Sequence, residues 1–210
     1  MIKDAFQTLV RQYAATPEAA DHLWQEIEIA YTEADRHFHN LDHLNHLLRE
    51  LQPLQPKIKE WETLLLSLVY HDVVYDVTQN IVSNDNEERS AAFAERQLLS
   101  IGYPPEKIER CKAQIMATKT HHLAQDHDTN LLTDADLCIL GQPWKVYNAY
   151  QKNIRKEFLL YPDNIYHAGR KKVLGQFLRM RPLFKTKHFY QLYEEAAKEN
   201  MRKEIALLEA

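Results

Sequence analysis

LLLSLVY, residues 64–70, is the longest apolar run of this chain and indicates its fold class. It lies within residues 57–75, which start amphipathic and become almost wholly apolar. A helix that is apolar on every side must be surrounded by other elements, because none of its faces favours water. The stretch therefore predicts a buried central helix, and its apolar run is far too short for a bilayer.

Helices are predicted on both sides of this central one from apolar spacing, caps and breakers. Thr16-Pro17 has the form of an N-cap followed by a proline in the first turn. Asp85 and Glu88 have the spacing of a capping box, and Gly102 closes the helix that they open. The predicted helices cover approximately residues 17–35, 41–51, 57–75, 87–100, 105–118, 130–140, 143–160, 164–180 and 186–208.

The fold class that follows is all-α, in one domain. The chain has 210 residues, which suits a single domain with a sizeable core. Its 4 Gly and 8 Pro are few, so a turn-rich β-sandwich or a disordered linker is disfavoured. The sequence contains no internal repeat and no shift of composition that would mark a boundary. We therefore expect one helical domain over residues 1–210.

Charge and cysteine content limit the partners and the compartment. The 26 Lys and Arg against 30 Asp and Glu give a net charge of −4, which disfavours a nucleic acid polymer as partner. Cys111 and Cys138 fit neither a disulfide framework nor a thiolate zinc site. The N-terminal residues lack the apolar region of a targeting signal. These features predict a cytoplasmic protein with no membrane partner.

Histidine has the most uneven distribution of any residue type in the chain. There are 11 histidines, many of them between His37 and His46, at His71, and near residues 121–127. His71-Asp72 stands at the end of the most apolar helix, where a carboxylate without compensation is costly. A bound cation would compensate this charge, so the position indicates a metal site.

Further ligands for such an ion occur upstream and downstream. His39 and His43 have the i, i+4 spacing that places two side chains above one another on a helix. Asp134 and Asp136 are both candidates for a carboxylate ligand. Two imidazoles and two carboxylates form a mixed site for one divalent ion, which suits Mn²⁺, Fe²⁺, Zn²⁺ or, less naturally, Mg²⁺.

The order of these residues resembles a known signature. His43, then His71-Asp72 and then Asp136 resemble the H…HD…D ligands of the HD-domain metal-dependent phosphohydrolase superfamily, which is all-α. The chain is also similar to a small bacterial family of predicted HD phosphohydrolases. The resemblance implies a metal-site core over residues 36–141, with the helices of residues 143–208 completing the domain.

Three shorter motifs extend this resemblance. Phe38-His39-Asn40 resembles the YHNxxH motif of cyclic-nucleotide phosphodiesterases, which implies that His39 protonates a leaving group. Residues 71–76 resemble the HDxxED element of guanosine-tetraphosphate hydrolase domains, with Tyr75 in place of the Glu. Only Asp76 can therefore inherit a role in orienting water. Residues 86–91 resemble an HExxGA segment, with Asn in place of its His at position 86.

The function that the resemblance implies is hydrolysis of a phosphate bond by metal-activated water. Asp76, His39 and Glu87 are the candidate catalytic groups. Arg155 and Arg170 are the candidate substrate contacts, because a guanidinium grips phosphate through a bidentate fork. We expect the substrate to be a small phosphorylated molecule, with a nucleotide favoured.

Two other functions stay open at this point. Tyr75 and the missing His at position 86 favour a non-catalytic sensor of HD fold that binds metal and nucleotide. An HD-type di-iron oxygenase would need further ligands, which only His121, His122 or His127 could supply.

The aromatic residues near the C-terminus bear on the oligomeric state. They are predicted either to form a homodimer patch or to pack in the core: Phe184, Phe189, Tyr190 and Tyr193.

Overall fold

The computed structural model describes residues 1–80 and 84–209 and shows an all-α fold, with no strand in that part of the chain. The predicted fold class is confirmed. The helices are α1 (Ile2–Val10), α2 (Pro17–Tyr31), α3 (Leu41–Leu51), α4 (Trp61–Tyr70), α5 (Val77–Asn80), α6 (Asn86–Ser100), α7 (Pro105–Thr118), α8 (His127–Leu137), α9 (Trp144–Glu157), α10 (Asp163–Arg179) and α11 (Lys187–Leu207). Two 3-10 segments, Gln52–Lys57 and Cys138–Gly141, follow α3 and α8.

The chain divides into two compact units, Met1–Thr133 and Asp134–Ala210. The division falls within α8, so the backbone is helical on both sides of it. The interpretation of residues 1–210 as a single domain stays a prediction. Among the described residues, none of the helices has the length and apolar content that crossing a membrane requires.

The first unit is built around α4, the helix that the apolar run predicted. Every residue from Thr63 to Tyr70 is buried, and α1, α3, α6 and α7 pack against this helix. It is shorter than the predicted range 57–75. The carboxylate of Asp128 accepts hydrogen bonds from the backbone N–H groups of Lys59 and Glu60, at 3.1 and 2.9 Å. These bonds hold the two residues that precede α4, of which Glu60 is the N-cap, and so fix where the helix starts.

Helix α1 was not predicted, although it belongs to the core of the first unit. Its buried residues Ile2, Phe6, Leu9 and Val10 have helical spacing. The Phe6 ring lies 5.7 Å from the ring of Trp24 and 5.9 Å from that of Tyr70. The apolar spacing of positions 2, 6, 9 and 10 is the signal from which this helix could have been predicted.

The predicted caps are partly confirmed. Thr16 caps α2 by accepting a hydrogen bond from Ala19 N–H, and Gly102 follows α6 with a φ of +68°. The capping box at the start of α6 is wrong, because Asp85 makes no side-chain cap bond there. Glu88 instead forms an ion pair with Lys119, at 2.6 Å.

The second unit contains α9, α10 and α11. A Cβ atom on Gly141 would lie 2.5 Å from the Cβ of Tyr193, so a side chain at position 141 would prevent α11 from packing so closely on the 3-10 segment. Phe184 and Phe189 are fully buried. These two rings pack in the core and are not part of an exposed patch, and homodimer formation stays a prediction. Tyr190 is 47% exposed.

Candidate metal centre

Three of the predicted ligands meet in the first unit: His43, His71 and Asp72. The Nε2 atoms of the two histidines are 3.3 Å apart, and Asp72 Oδ2 lies 3.0 Å from His71 Nε2 and 4.0 Å from His43 Nε2. Both histidines are buried, whereas Asp72 is partly accessible. These three side chains could hold a metal ion.

The first turn of α3 presents His43 to the site. The Asn40 side chain caps this helix, and its oxygen accepts hydrogen bonds from the N–H groups of Asp42 and His43 at 2.9 and 3.4 Å. The cap fixes where the helix begins. It thereby sets the direction of His43, which lies on the same buried face as Leu44 and Leu47.

His71 is the C-cap residue of α4, and a backbone carbonyl fixes its tautomer. Its Nδ1 lies 2.8 Å from the carbonyl oxygen of Leu68, which can only accept a hydrogen bond. The proton of a neutral ring is therefore on Nδ1, and Nε2 carries the lone pair. Metal-binding histidines are commonly held in this way by a bond to the nitrogen that does not bind the ion.

Arg36 joins the two segments that carry the ligands. Its Nη1 donates to the carbonyl oxygens of Asp72 and His39, at 2.6 and 3.3 Å, and its Nη2 donates to that of Val73 at 2.9 Å. The side chain is 2% exposed, and its guanidinium carbon lies 5.0 Å from the centre of the Tyr31 ring. Arg36 was not predicted as a site residue, because its bonds to Asp72 and Val73 leave no local pattern in the sequence.

The spacing of the donor atoms is suited to one ion. Bonds of about 2.1 Å at tetrahedral or right angles place two ligand atoms of one metal about 3.0 to 3.4 Å apart. The distances of 3.3 and 3.0 Å within the cluster agree with this spacing, and the 4.0 Å distance needs only a small movement of Asp72. Imidazole nitrogen and carboxylate oxygen also suit divalent transition metals.

Glu87 is a second acid near the site, and its carboxyl group interacts electrostatically with Asp72. Burial raises the pKa of Glu87 above its usual value, and the negative charge of Asp72 raises it further. Its Oε2 atom is buried and has no hydrogen-bond partner among the described residues. A cation near Asp72 would offset both effects.

His39 lies beside the cluster, and Tyr75 covers its ring. The rings of His39 and Tyr75 are stacked, with centres 4.2 Å apart and an interplanar angle of 29°. The His39 ring is 5.8 Å from the ring of His43. Tyr75, which stands where the related motif has Glu, therefore limits how the His39 ring can turn.

Asp76 and Asn86 have local structural roles. Asp76 Oδ1 accepts hydrogen bonds from the backbone N–H and the hydroxyl of Thr78, at 2.9 and 2.7 Å. Asn86 Oδ1 accepts from the backbone N–H of Asp76 at 3.2 Å. The role of Asp76 in orienting water stays a prediction.

In the second unit, the two candidate aspartates of α8 differ in their surroundings. Asp134 is fully buried and accepts hydrogen bonds from the N–H groups of Lys185 and Thr186, at 2.9 and 2.7 Å. The Thr186 hydroxyl donates a further bond of 2.7 Å. Both oxygens of Asp134 are thus engaged at the start of α11. The role of Asp136 as a ligand stays a prediction.

The two predicted substrate contacts have partners within the second unit. Arg170 is buried, with its Nε 2.8 Å from Glu204 Oε1, and its Nη2 donates to the Tyr150 hydroxyl at 3.2 Å. Arg155 Nη2 lies 2.7 Å from Asp163 Oδ1. A substrate phosphate would have to compete with these bonds, so the role of both arginines stays a prediction.

Comparisons of the chain with family models, curated proteins and solved structures found no match. The relationship to the HD superfamily therefore rests on the residues of the motifs and stays a prediction.

Proposed function

We propose that this protein is a metal-dependent phosphohydrolase that acts on a small phosphorylated molecule, with a nucleotide favoured. The observation that carries the proposal is the convergence of the buried His43 and His71 with the partly accessible Asp72, with the His71 tautomer set by Leu68. Without a cation, two imidazoles and a carboxylate would be desolvated together at a net cost. Such a cost is typical of functional sites.

The ligands in this proposal are His43, His71, Asp72 and Asp136. A divalent ion held by them supplies a water of lowered pKa and polarises a phosphoryl oxygen. The hydrogen bonds that occupy Asp134 support the choice of Asp136 as the fourth ligand. Arg36 holds the backbone of the segment that carries Asp72, so that the carboxylate keeps its direction.

Proton transfer is assigned to Glu87 and His39. A carboxyl group whose pKa is raised can hold a proton nearer to neutral pH and can therefore act as a general acid or base. His39 would donate a proton to the leaving oxygen, for which its ring must separate from Tyr75. Asp76 would orient water, although its Oδ1 is bonded to Thr78 and its Oδ2 lies 3.9 Å from Arg89 Nη1.

A sensor that binds metal and nucleotide without turnover is the second candidate. The stacking of Tyr75 on His39 favours it, because this contact restrains a group that catalysis needs to move. The bonds from Thr78 to Asp76 also favour it, because they occupy one oxygen of the carboxylate that would orient water.

The experiment that separates the two functions is phosphate release from a panel of nucleotides and phosphate esters, with Mn²⁺ and other divalent ions in turn. His71→Ala and Asp72→Ala are the test variants. His22→Ala is the matched control, since this histidine is exposed on α2. Metal-dependent turnover that persists in the control and vanishes in both test variants supports the hydrolase. Bound metal without any turnover supports the sensor.

A further inference from the structure

Basic residues are concentrated in one part of the second unit. Residues 144–187 contain eleven Lys and Arg but two acids, whereas the whole chain contains 26 Lys and Arg and 30 acids. Of the two acids, Glu157 is buried and Asp163 is paired with Arg155. Neither of these acids offsets the positive charge of the exposed lysines in this segment. The local charge is therefore opposite in sign to that of the chain.

The lysines of α9 form a stripe on its exposed face. Lys145, Lys152 and Lys156 are exposed and recur at i, i+7 and i+11, which is the spacing of one helix face. Within residues 1–80 and 84–209, none of these three lysines has a carboxylate partner. Their charges are thus available to an external anion.

Exposed aliphatic side chains follow this stripe along the chain, at the turn between α9 and α10. Leu159 and Leu160 are 66% and 72% exposed, and Ile165, in the first turn of α10, is 53% exposed. Hydrogen bonds from Arg155 stabilise this turn. Arg155 donates to the carbonyl oxygens of Phe158 and Tyr161, at 2.8 and 3.0 Å. The two leucines are therefore held in solvent by an ordered turn.

We propose that this turn docks on a membrane surface that contains anionic phospholipid. The leucines and Ile165 would enter the boundary between headgroups and acyl chains, while Lys152 and Lys156 contact the lipid phosphates. Apolar side chains with lysines beside them are the combination by which proteins lie on anionic bilayers. The composition of the whole chain predicts no membrane partner, because an average over all residues hides this local concentration of charge.

Two other partners fit these side chains less well. Nucleic acid surfaces are bound through basic and aromatic side chains, and the exposed residues of the turn are aliphatic. A second copy of the chain would bring the same lysines close together at a symmetric contact, where like charges repel. The metal site plays no part in this proposal.

The test is cosedimentation of the full chain with vesicles of phosphatidylcholine, with and without phosphatidylglycerol. Each lysine near an anionic surface contributes about 1 kcal/mol, or about fivefold in partition. We expect Lys152→Gln with Lys156→Gln to weaken binding by about 25-fold. Leu159→Asn with Leu160→Asn should weaken it by about tenfold or more. The matched controls are Lys57→Gln with Lys59→Gln, and Leu123→Asn, which change exposed residues of the first unit and should leave partition unchanged.

Several results would overturn the proposal. One is equal binding to both kinds of vesicle, and another is no binding to either. A third is a loss of binding in the control variants as large as that in the test variants. Tighter binding to a DNA duplex than to anionic vesicles would assign the surface to nucleic acid instead. A dimer in gel filtration that the two leucine substitutions abolish would assign it to a second copy.

Discussion

Arg36 is the residue on which the geometry of the candidate metal centre depends most, apart from the ligands themselves. Lysine in its place would keep the charge but could not bond both Asp72 and Val73 through a planar fork. We expect Arg36→Lys to lower the free energy of unfolding by about 2 kcal/mol and to weaken Mn²⁺ binding by about tenfold. Chemical denaturation and calorimetric titration measure the two effects. Arg49→Lys, at an exposed position of α3, is the control. Unchanged Mn²⁺ affinity in Arg36→Lys would contradict this role.

Asp134 and Asp136 lie two residues apart and should respond differently to the same substitution. Asp134→Asn places an amide donor where Lys185 and Thr186 also donate, so it should lower stability by about 3 kcal/mol. The folded fraction of this variant should still bind Mn²⁺. Asp136→Asn should lose Mn²⁺ binding with little change in stability. The opposite pattern, measured by denaturation and metal titration, would make Asp134 the ligand.

Glu87 gives the metal-free protein a pH dependence of known sign. Because the folded-state pKa of Glu87 is raised, ionisation costs stability as the pH rises from its ordinary value through the raised one. Glu87→Gln removes that cost. Its unfolding free energy should therefore exceed that of the wild type at neutral pH, and the difference should disappear in acid. Denaturation with chelator present tests this, with Glu106→Gln on the exposed start of α7 as control. A difference that is the same at both pH values would refute the assignment.

Among single residues, those with distinctive chemistry could be predicted from the sequence. Residues whose role depends on contacts far along the chain could not. His71-Asp72 could be found because a carboxylate at the end of an apolar helix is unusual. Arg36 donates hydrogen bonds to the carbonyl groups of Asp72 and Val73, which lie 36 and 37 positions further along the chain. Such a separation leaves no local pattern in the sequence. The engagement of Asp134 likewise depends on residues more than 50 positions distant.

Among the elements, α3 connects helix capping with metal binding. Asn40→Ala removes the cap and should lower stability by about 1 kcal/mol. Because His43 is in the first turn, fraying there should also weaken Mn²⁺ binding. Thr16→Ala is a matched control, since Thr16 caps α2 through Ala19 away from the three donors. We expect similar stability losses in the two variants, with weaker metal binding in Asn40→Ala alone. Equal metal affinity in both would show that the cap does not position His43.

The elements were predictable where local signals were strong. The central helix followed from its apolar run, yet its start depends on Asp128, which lies 69 positions from Lys59. The capping box of α6 failed because Lys119 competes for Glu88. Tertiary contacts thus altered the ends of helices while the helices themselves followed the sequence pattern.

For the whole molecule, the single-domain prediction has a direct consequence for unfolding. The chain divides within α8, so loss of that helix would affect both units. We expect one cooperative transition, with the same midpoint by circular dichroism and by tryptophan fluorescence. The fluorescence reports on both units, since Trp24 and Trp61 belong to the first and Trp144 to the second. Two separate transitions would mean that the units are independent domains.

The proposed function depends on one divalent ion bound by His43, His71 and Asp72. The most direct measurement is anomalous X-ray scattering from crystals of the Mn²⁺-loaded protein. We expect one strong peak within bonding distance of His43 Nε2, His71 Nε2 and a carboxylate oxygen of Asp72. A loaded crystal with no peak among these three side chains would contradict it.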